Sequence, residues 1–255
     1  IFHVNEGIDG SLEYLKENNY KHSYSPINAG VCVAFNEAVK LAQNKYIVLG
    51  HDDMYFCPGW DEVLKKELEK YPEDTDFFLS GTMVQPFSSY IELNCGKNYL
   101  DFDEDKLLRE VSSINFYDFQ GTHWQPSLVP KKTWHKVGGF SEEFSPGLGS
   151  DPDFNMKLWK MGVRIFKGLN KSRVYHFSSI SLRKKAWNNG ARIFLLKWGI
   201  TIKFFKKFYL KTDTEYKGML EEPKKNIQFM IGLIICKLNF FYIKYIYNFT
   251  NLKKK

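Results

Sequence analysis

Two carboxylates stand side by side in Gly50-His51-Asp52-Asp53, directly after the apolar run Tyr46-Ile47-Val48-Leu49. Adjacent carboxylates repel one another unless a cation or hydrogen-bond donors lie close. Their oxygens suit Mg²⁺ or Mn²⁺, which in turn can hold a diphosphate. The competing reading makes Asp52 or Asp53 a cap for the helix opened by Pro58, or a solvated loop charge. A second acidic pair, Asp151-Pro152-Asp153, opens a helical pattern. Asp151 at the N-cap with Pro152 at the first helical position is a sound helix start. Asp151 could serve there as a general base as well. Backbone N–H donors and the helix dipole are then expected to lower its pKa, which keeps it ionised but weakens it as a base. His176 ends the short apolar run Val174-Tyr175-His176-Phe177, where a hydrogen-bonded core histidine is a commoner outcome than a ligand. Gly138-Gly139-Phe140 calls for unusual backbone angles or a close approach at a turn. Trp124, in Gly121-Thr122-His123-Trp124-Gln125-Pro126, could stack on a sugar ring or belong to the core.

Such residues need elements to hold them. Leu12 and Leu15 sit in a short helix after the Gly7/Gly10 turn. After the Asn28-Ala29-Gly30 turn, Val31, Ala34, Phe35, Ala38 and Ala42 follow the spacing of one amphipathic helix face. The run at 46–49 reads as a buried parallel strand. Trp60, Val63, Leu64 and Leu68 mark a helix behind Pro58, and Phe77-Phe78-Leu79 mark the next strand. Strand–helix alternation predicts a parallel sheet with helices on both faces, whose strand carboxyl ends are where ligands bind. A short helix is expected near 106–111 and a longer one over 151–161, ended by Gly162. Residues 163–166 and 173–177 read as strands.

The 255 residues are 44% hydrophobic and 25% charged, values that exclude a wholly disordered chain. Cys32, Cys57, Cys95 and Cys236 are widely spaced with no CxxC, against a disulfide scaffold or a Cys-rich zinc site. Charge is divided unevenly: residues 1–170 carry 17 Lys/Arg against 25 Asp/Glu, a net −8, and residues 171–255 carry 19 against 4, a net +15. A basic tail on an acidic body predicts an anionic surface as the tail's partner. Arg192, Lys203, Lys206 and Lys207 share one arc of a helical wheel, with Ile193, Phe194, Trp198, Ile202, Phe205 and Phe208 filling the rest. Residues 226–249 are apolar apart from a stripe of Asn226, Lys237, Lys244 and Asn248. This segment is long enough to span a bilayer, yet a Lys near its middle costs on the order of 3 kcal/mol. An interfacial helix is the leading expectation, with packing on protein and spanning as alternatives. Basic residues interleaved with Phe, Tyr and Ile at helical spacing suit lipid better than a phosphate track, and no nucleic-acid partner is expected. Ile1-Phe2-His3-Val4 reads as the end of a strand, without an initiator Met or signal peptide, and a preceding segment is expected.

The order of motifs resembles family 2 glycosyltransferases of GT-A fold over roughly residues 1–180. Val4-Asn5-Glu6-Gly7 with Asp9-Gly10-Ser11 resembles that family's first acidic nucleotide-binding loop. Asn28-x-Gly30 with Asn36 resembles the turn and helix beside the nucleotide, and Leu49-Gly50-His51-Asp52-Asp53-Met54 resembles its Asp-x-Asp metal motif. Val137-Gly138-Gly139-Phe140-Ser141-Glu142 followed by Ser150-Asp151-Pro152-Asp153 resembles the acceptor loop and catalytic acidic region, and His176 a late metal-completing histidine. His51 stands at the first Asp of Asp-x-Asp, Asn5 where an Asp is usual, and Ser150 where a Glu is usual.

The resemblance implies an α/β, Rossmann-like, mostly parallel sheet with helices on both faces. It implies a catalytic domain over residues 1–180 that lacks the family's first strand, and a helical basic extension over 181–255. It implies metal-dependent, inverting transfer of a sugar from a nucleotide-diphosphate sugar to an acceptor hydroxyl, in polysaccharide or cell-envelope glycan synthesis. Glu6, Asn28, Gly30, Asn36 and Asp52 would bind the nucleotide-sugar, while Asp53 and His176 would hold Mn²⁺ or Mg²⁺. Asp151 would be the base, and Trp124, Gly138, Gly139 and Asp153 would meet a glycan or lipid-linked acceptor. The expected location is cytoplasmic, at the inner membrane face, with peripheral contact through the extension. The rival readings are a nucleotidyltransferase, whose Gly-rich phosphate loop is not visible here, and a non-catalytic sugar-nucleotide or carbohydrate-binding relative.

Overall fold

The structure, a computed structural model, describes residues 1–87, 89–122, 125–177 and 188–247. It begins with β1 (Phe2–Asn5), helix α1 (Ser11–Glu17) and β2 (His22–Ser25). β1 and β2 pair in parallel as a separate two-stranded sheet, sealed onto α1 by Val4, Leu12 and Leu15. Helix α2 (Val31–Lys40) follows Gly30, and its apolar face meets β3 (Tyr46–Leu49) in the main core.

The principal sheet has seven strands, and five of them run in the order β3, β8 (Ser127–Pro130), β5 (Phe77–Gln85), β9 (Ile165–His176), β4 (Met54–Phe56). β6 (Ile91–Glu92) adds to β5, and β7 (Phe119–Gln120) adds to β9. β5 runs parallel to β9 and β6, whereas β3–β8, β5–β8, β4–β9 and β7–β9 are antiparallel. The α/β class is as expected, and the sheet is mixed rather than mostly parallel. A continuous apolar run reports burial, and burial does not fix strand direction. Even that burial is incomplete in β3, where Val48 is 42% exposed between buried Ile47 and Leu49. The two short strands expected near the end of the sheet are one long strand, β9. Its pairing with β5 shifts register between Ser80 and Thr82, which lets one strand serve both halves.

Helix α3 (Trp60–Leu68) covers one face through Leu64 against Phe77, Leu79 and Leu128. Helix α4 (Glu104–Val111) packs Leu107 and Val111 with Val84 and Tyr175. Helices α5 (Lys131–Val137) and α6 (Ser150–Met161) bury Trp134, Phe154, Leu158 and Trp159 in the largest core. The carboxyl-terminal helices α7 (Gly190–Trp198), α8 (Ile202–Phe205) and α9 (Ile227–Phe241) enter the same core through Phe194, Phe204, Phe205, Phe229 and Cys236. Phe194 and Phe205 are fully buried, each contributing about 2 kcal/mol of transfer free energy. The basic extension is thus packed onto the body over α7 and α8. α9 touches the body along one edge, and Ile227, Ile231, Ile234, Ile235, Leu238 and Phe241 remain exposed. Residues 227–245 form a helix long and apolar enough to cross a membrane, with mean hydropathy 1.5.

Candidate active site

The loop after β3 carries His51, Asp52 and Asp53 and then re-enters the sheet as β4. Because β4 lies antiparallel to the end of β9, Met54 registers with His176. That register brings Asp53 Oδ2 to 3.1 Å from His176 Nε2. Phe177 N–H donates to the Asp53 carbonyl at 3.0 Å and closes the corner. His176 Nδ1 meets the side-chain amide of Gln85, at the end of β5, which fixes the ring from its other side. The Asp53 carboxylate offers an oxygen ligand suited to Mn²⁺ or Mg²⁺, and the imidazole nitrogen beside it can join it on a divalent metal. Among the described residues no group of three His, Cys, Asp or Glu is drawn together. Asp52 points to solvent at the same corner. His51 packs edge-on against Phe35, with ring centres 5.4 Å apart, and burial holds its pKa below the usual imidazole value.

Helix α6 starts differently from the expected cap. Gly149, in the left-handed region at φ 87°, is the N-cap, and Asp151 lies inside the first turn. Its carboxylate Oδ1 accepts a hydrogen bond from Gln125 Nε2 at 3.5 Å. Burial outweighs that bond and pushes the Asp151 pKa up to about 7. The sequence-based expectation had the opposite sign. It assumed that helix N–H donors would reach the carboxylate, whereas desolvation dominates. A carboxyl poised near neutrality is a stronger base than one held low.

Asp153 is turned inward. It is 0% exposed, and its oxygens accept from Trp198 Nε1 at 2.8 Å, Lys197 Nζ at 3.0 Å and Ser141 Oγ at 2.6 Å. A buried carboxylate so fully engaged is a fastening that ties α6 to α7. Gly138 and Gly139 form the left-handed exit of α5. A side chain at Gly139 would come within 2.5 Å of Asn36 Oδ1 and 3.0 Å of Trp134, so glycine is required there by packing. Asn36 is tied to the backbone on the far side of that turn. Its Nδ2 donates to the Phe140 carbonyl and its Oδ1 accepts from the Phe140 N–H, both at 2.9 Å.

The two amino-terminal loops do come together. Asn28 Oδ1 accepts from the Gly30 N–H at 3.1 Å, and Asn5 Oδ1 accepts from the Ala29 N–H at 3.1 Å. Glu6 is exposed and held at φ 67° between them. Gly30 lies against Pro146, where an added Cβ would stand 2.9 Å from backbone. Trp124 and Asn248 lie outside the described residues. Gln85, Gln125, Lys197 and Trp198 are not marked as site residues by the sequence, because each acts across a long chain separation that no local pattern records. Ser127, also unmarked, meets Gln125 two residues away.

The sequence model of Glycosyl transferase family 2 matches residues 1–123. The hyaluronan synthase of Pasteurella multocida is 29% identical over 188 residues, covering 71% of this chain and 18% of that protein. The chondroitin synthase of P. multocida strain Pm70 is 29% identical over 187 residues, covering 70% and 18%. This chain therefore spans less than a fifth of the curated relatives it matches. The crystal structure of S. aureus TarS 1-349 in complex with UDP-GlcNAc superposes with a TM-score of 0.51 at 14% identity, over 97% of this chain and 64% of that one, a likeness of fold. The motif order and these similarities agree: over residues 1–123 the chain is similar to glycosyl transferase family 2.

Proposed function

We propose that this chain transfers a sugar from a nucleotide-diphosphate sugar to an acceptor hydroxyl, with a divalent metal and with inversion. The observation that carries the proposal is the meeting of Asp53 and His176 at 3.1 Å at one end of the sheet. In this reading these two side chains would hold Mn²⁺ or Mg²⁺ beside the donor diphosphate. The metal, when bound, neutralises charge on the departing nucleoside diphosphate. Gln85 keeps the His176 ring in place. Asp52 reaches the ribose, and Glu6 with the Asn28–Gly30 turn faces the nucleoside. Asp151 takes the acceptor hydroxyl proton as that oxygen bonds to the anomeric carbon and the bond from carbon to the diphosphate oxygen breaks. Near pH 7 about half of the Asp151 side chains would be ionised and ready.

The TarS structure contains UDP-GlcNAc, which makes a UDP-sugar the first donor to try. The relatives are named as synthases of hyaluronan and chondroitin, which favours a glycan acceptor, free or lipid-linked, in polysaccharide synthesis. Asp151→Asn is expected to retain donor binding by calorimetry and to lose transfer. Transfer at the wild-type rate in that variant overturns the assignment.

We also propose that α9 lies on the inner face of an anionic membrane. Its exposed Ile231, Ile235 and Leu238 adjoin exposed Lys224, Lys225 and Lys237, an apolar face edged with positive charge. Removing residues 190–255 would strip Phe194, Phe205 and Phe229 from the core, so surface substitutions are the better probe. Ile231→Asp with Ile235→Asp is expected to abolish flotation with phosphatidylglycerol-containing vesicles. Unchanged flotation, or a dimer that dissociates in the variant without any vesicle binding, refutes the membrane contact.

A further inference from the structure

Asp151 is oriented from outside its own helix. The Gln125 Nε2 that approaches Asp151 Oδ1 belongs to a buried side chain, 4% exposed. The other end of that amide is fixed, because Ser127 Oγ donates to Gln125 Oε1 at 2.8 Å. A primary amide has one accepting and one donating end, so a donor on its oxygen leaves the nitrogen to face the carboxylate. Ser127 is fully buried and opens β8, in register with Leu49 of β3 and Ser80 of β5. The Gly81 N–H donates to the Pro126 carbonyl at 2.9 Å and pins the backbone between the two side chains. The sheet thus holds the hydroxyl, the hydroxyl holds the amide, and the amide faces the carboxylate.

We propose that Ser127 and Gln125 form a positioning relay that aims the Asp151 carboxylate at the acceptor hydroxyl. The inference rests on reading Asp151 as the base and adds to that reading the residues that aim it. A neutral amide suits the task. A lysine or arginine in its place would lower a neighbouring carboxyl by about 1–3 pH units and weaken the base. An apolar side chain would leave the carboxylate free to rotate. At 3.5 Å the bond is long, and it has room to tighten when the acceptor arrives. The same arrangement of a base held by a third group recurs where a nucleophile must be activated in a set direction.

The test uses Gln125→Leu and Ser127→Ala in the full chain, with nucleoside diphosphate release followed across pH. Gln125→Leu is expected to lower kcat roughly 10–100-fold, with donor KM within about twofold of wild type. The acid limb of its rate profile should move up by about half to one pH unit, because the ionised carboxylate has lost a donor. Ser127→Ala should move both quantities the same way by a smaller amount, since its amide can turn over. A second readout is the ¹³C titration of the Asp151 carboxyl, identified by its disappearance in Asp151→Asn, which should move upward in Gln125→Leu. An unmoved acid limb and an unmoved carboxyl titration in folded Gln125→Leu overturn the relay and leave the proposed function standing. If the folded wild type neither binds nor turns over any donor, the proposed function falls, and the carboxyl titration still decides whether the amide governs Asp151.

Discussion

Asp151→Asn should change stability in a way that depends on pH, and the sign follows from the site. The carboxyl has a pKa of about 7 in the fold against an ordinary 3.8. The folded protein therefore binds this proton more tightly than the unfolded chain does. The stability contributed by the protonated form is fully present below the unfolded value and is lost as pH rises through the folded one. A difference of about 3 units corresponds to roughly 4 kcal/mol at full ionisation. Linkage places about 1.7 kcal/mol of that loss below pH 5, so roughly 2.5 kcal/mol falls between pH 5 and pH 8. Asparagine keeps the shape and removes the charge. Its advantage over the wild type should therefore grow by about 2.5 kcal/mol between those two pH values. Urea unfolding of both proteins at pH 5 and pH 8 measures this directly. A difference that is the same at both pH values would mean that Asp151 titrates normally, and the argument for a base poised near neutrality would fail.

Further outcomes follow from other parts of the site. Asp53→Ala should abolish metal-dependent donor binding, read by titrating Mn²⁺ in the presence of UDP; an unchanged titration would remove Asp53 from the metal site. Trp198→Phe deprives the buried Asp153 carboxylate of a donor and should destabilise the fold by about 1–3 kcal/mol, with a loss under 0.5 kcal/mol in urea counting against the fastening. Gly139→Ala forces a side chain into the left-handed region against Asn36 and should destabilise by on the order of 2 kcal/mol, measured in the same way; a neutral substitution would show that the turn yields.

Residues that announce themselves by local pattern were legible in the sequence. The apolar spacing of α2, α3 and α6 marked those helices, since a 3.6-residue period is written along one stretch of chain. The Asp53 and His176 pair was legible through the order of motifs, and the β4–β9 register supplies its geometry. What was not legible depends on distant partners. The pKa of Asp151 turns on how deeply α6 is covered, which no residue near it encodes. Asp153 and Asn36 looked available for ligands because their engagements with Trp198 and Phe140 bridge distant parts of the chain. The basic tail looked separable because its charge changes abruptly, while its aromatic residues are what join it to the body.

The most direct test of the central claim is a donor screen. Nucleoside diphosphate release is followed from a panel of UDP- and other nucleotide-sugars with a glycan acceptor, in Mn²⁺, Mg²⁺ or EDTA. Release from one donor that depends on metal and is abolished by EDTA is the expected result. Absence of both release and binding for every donor, with the protein folded, would contradict the account.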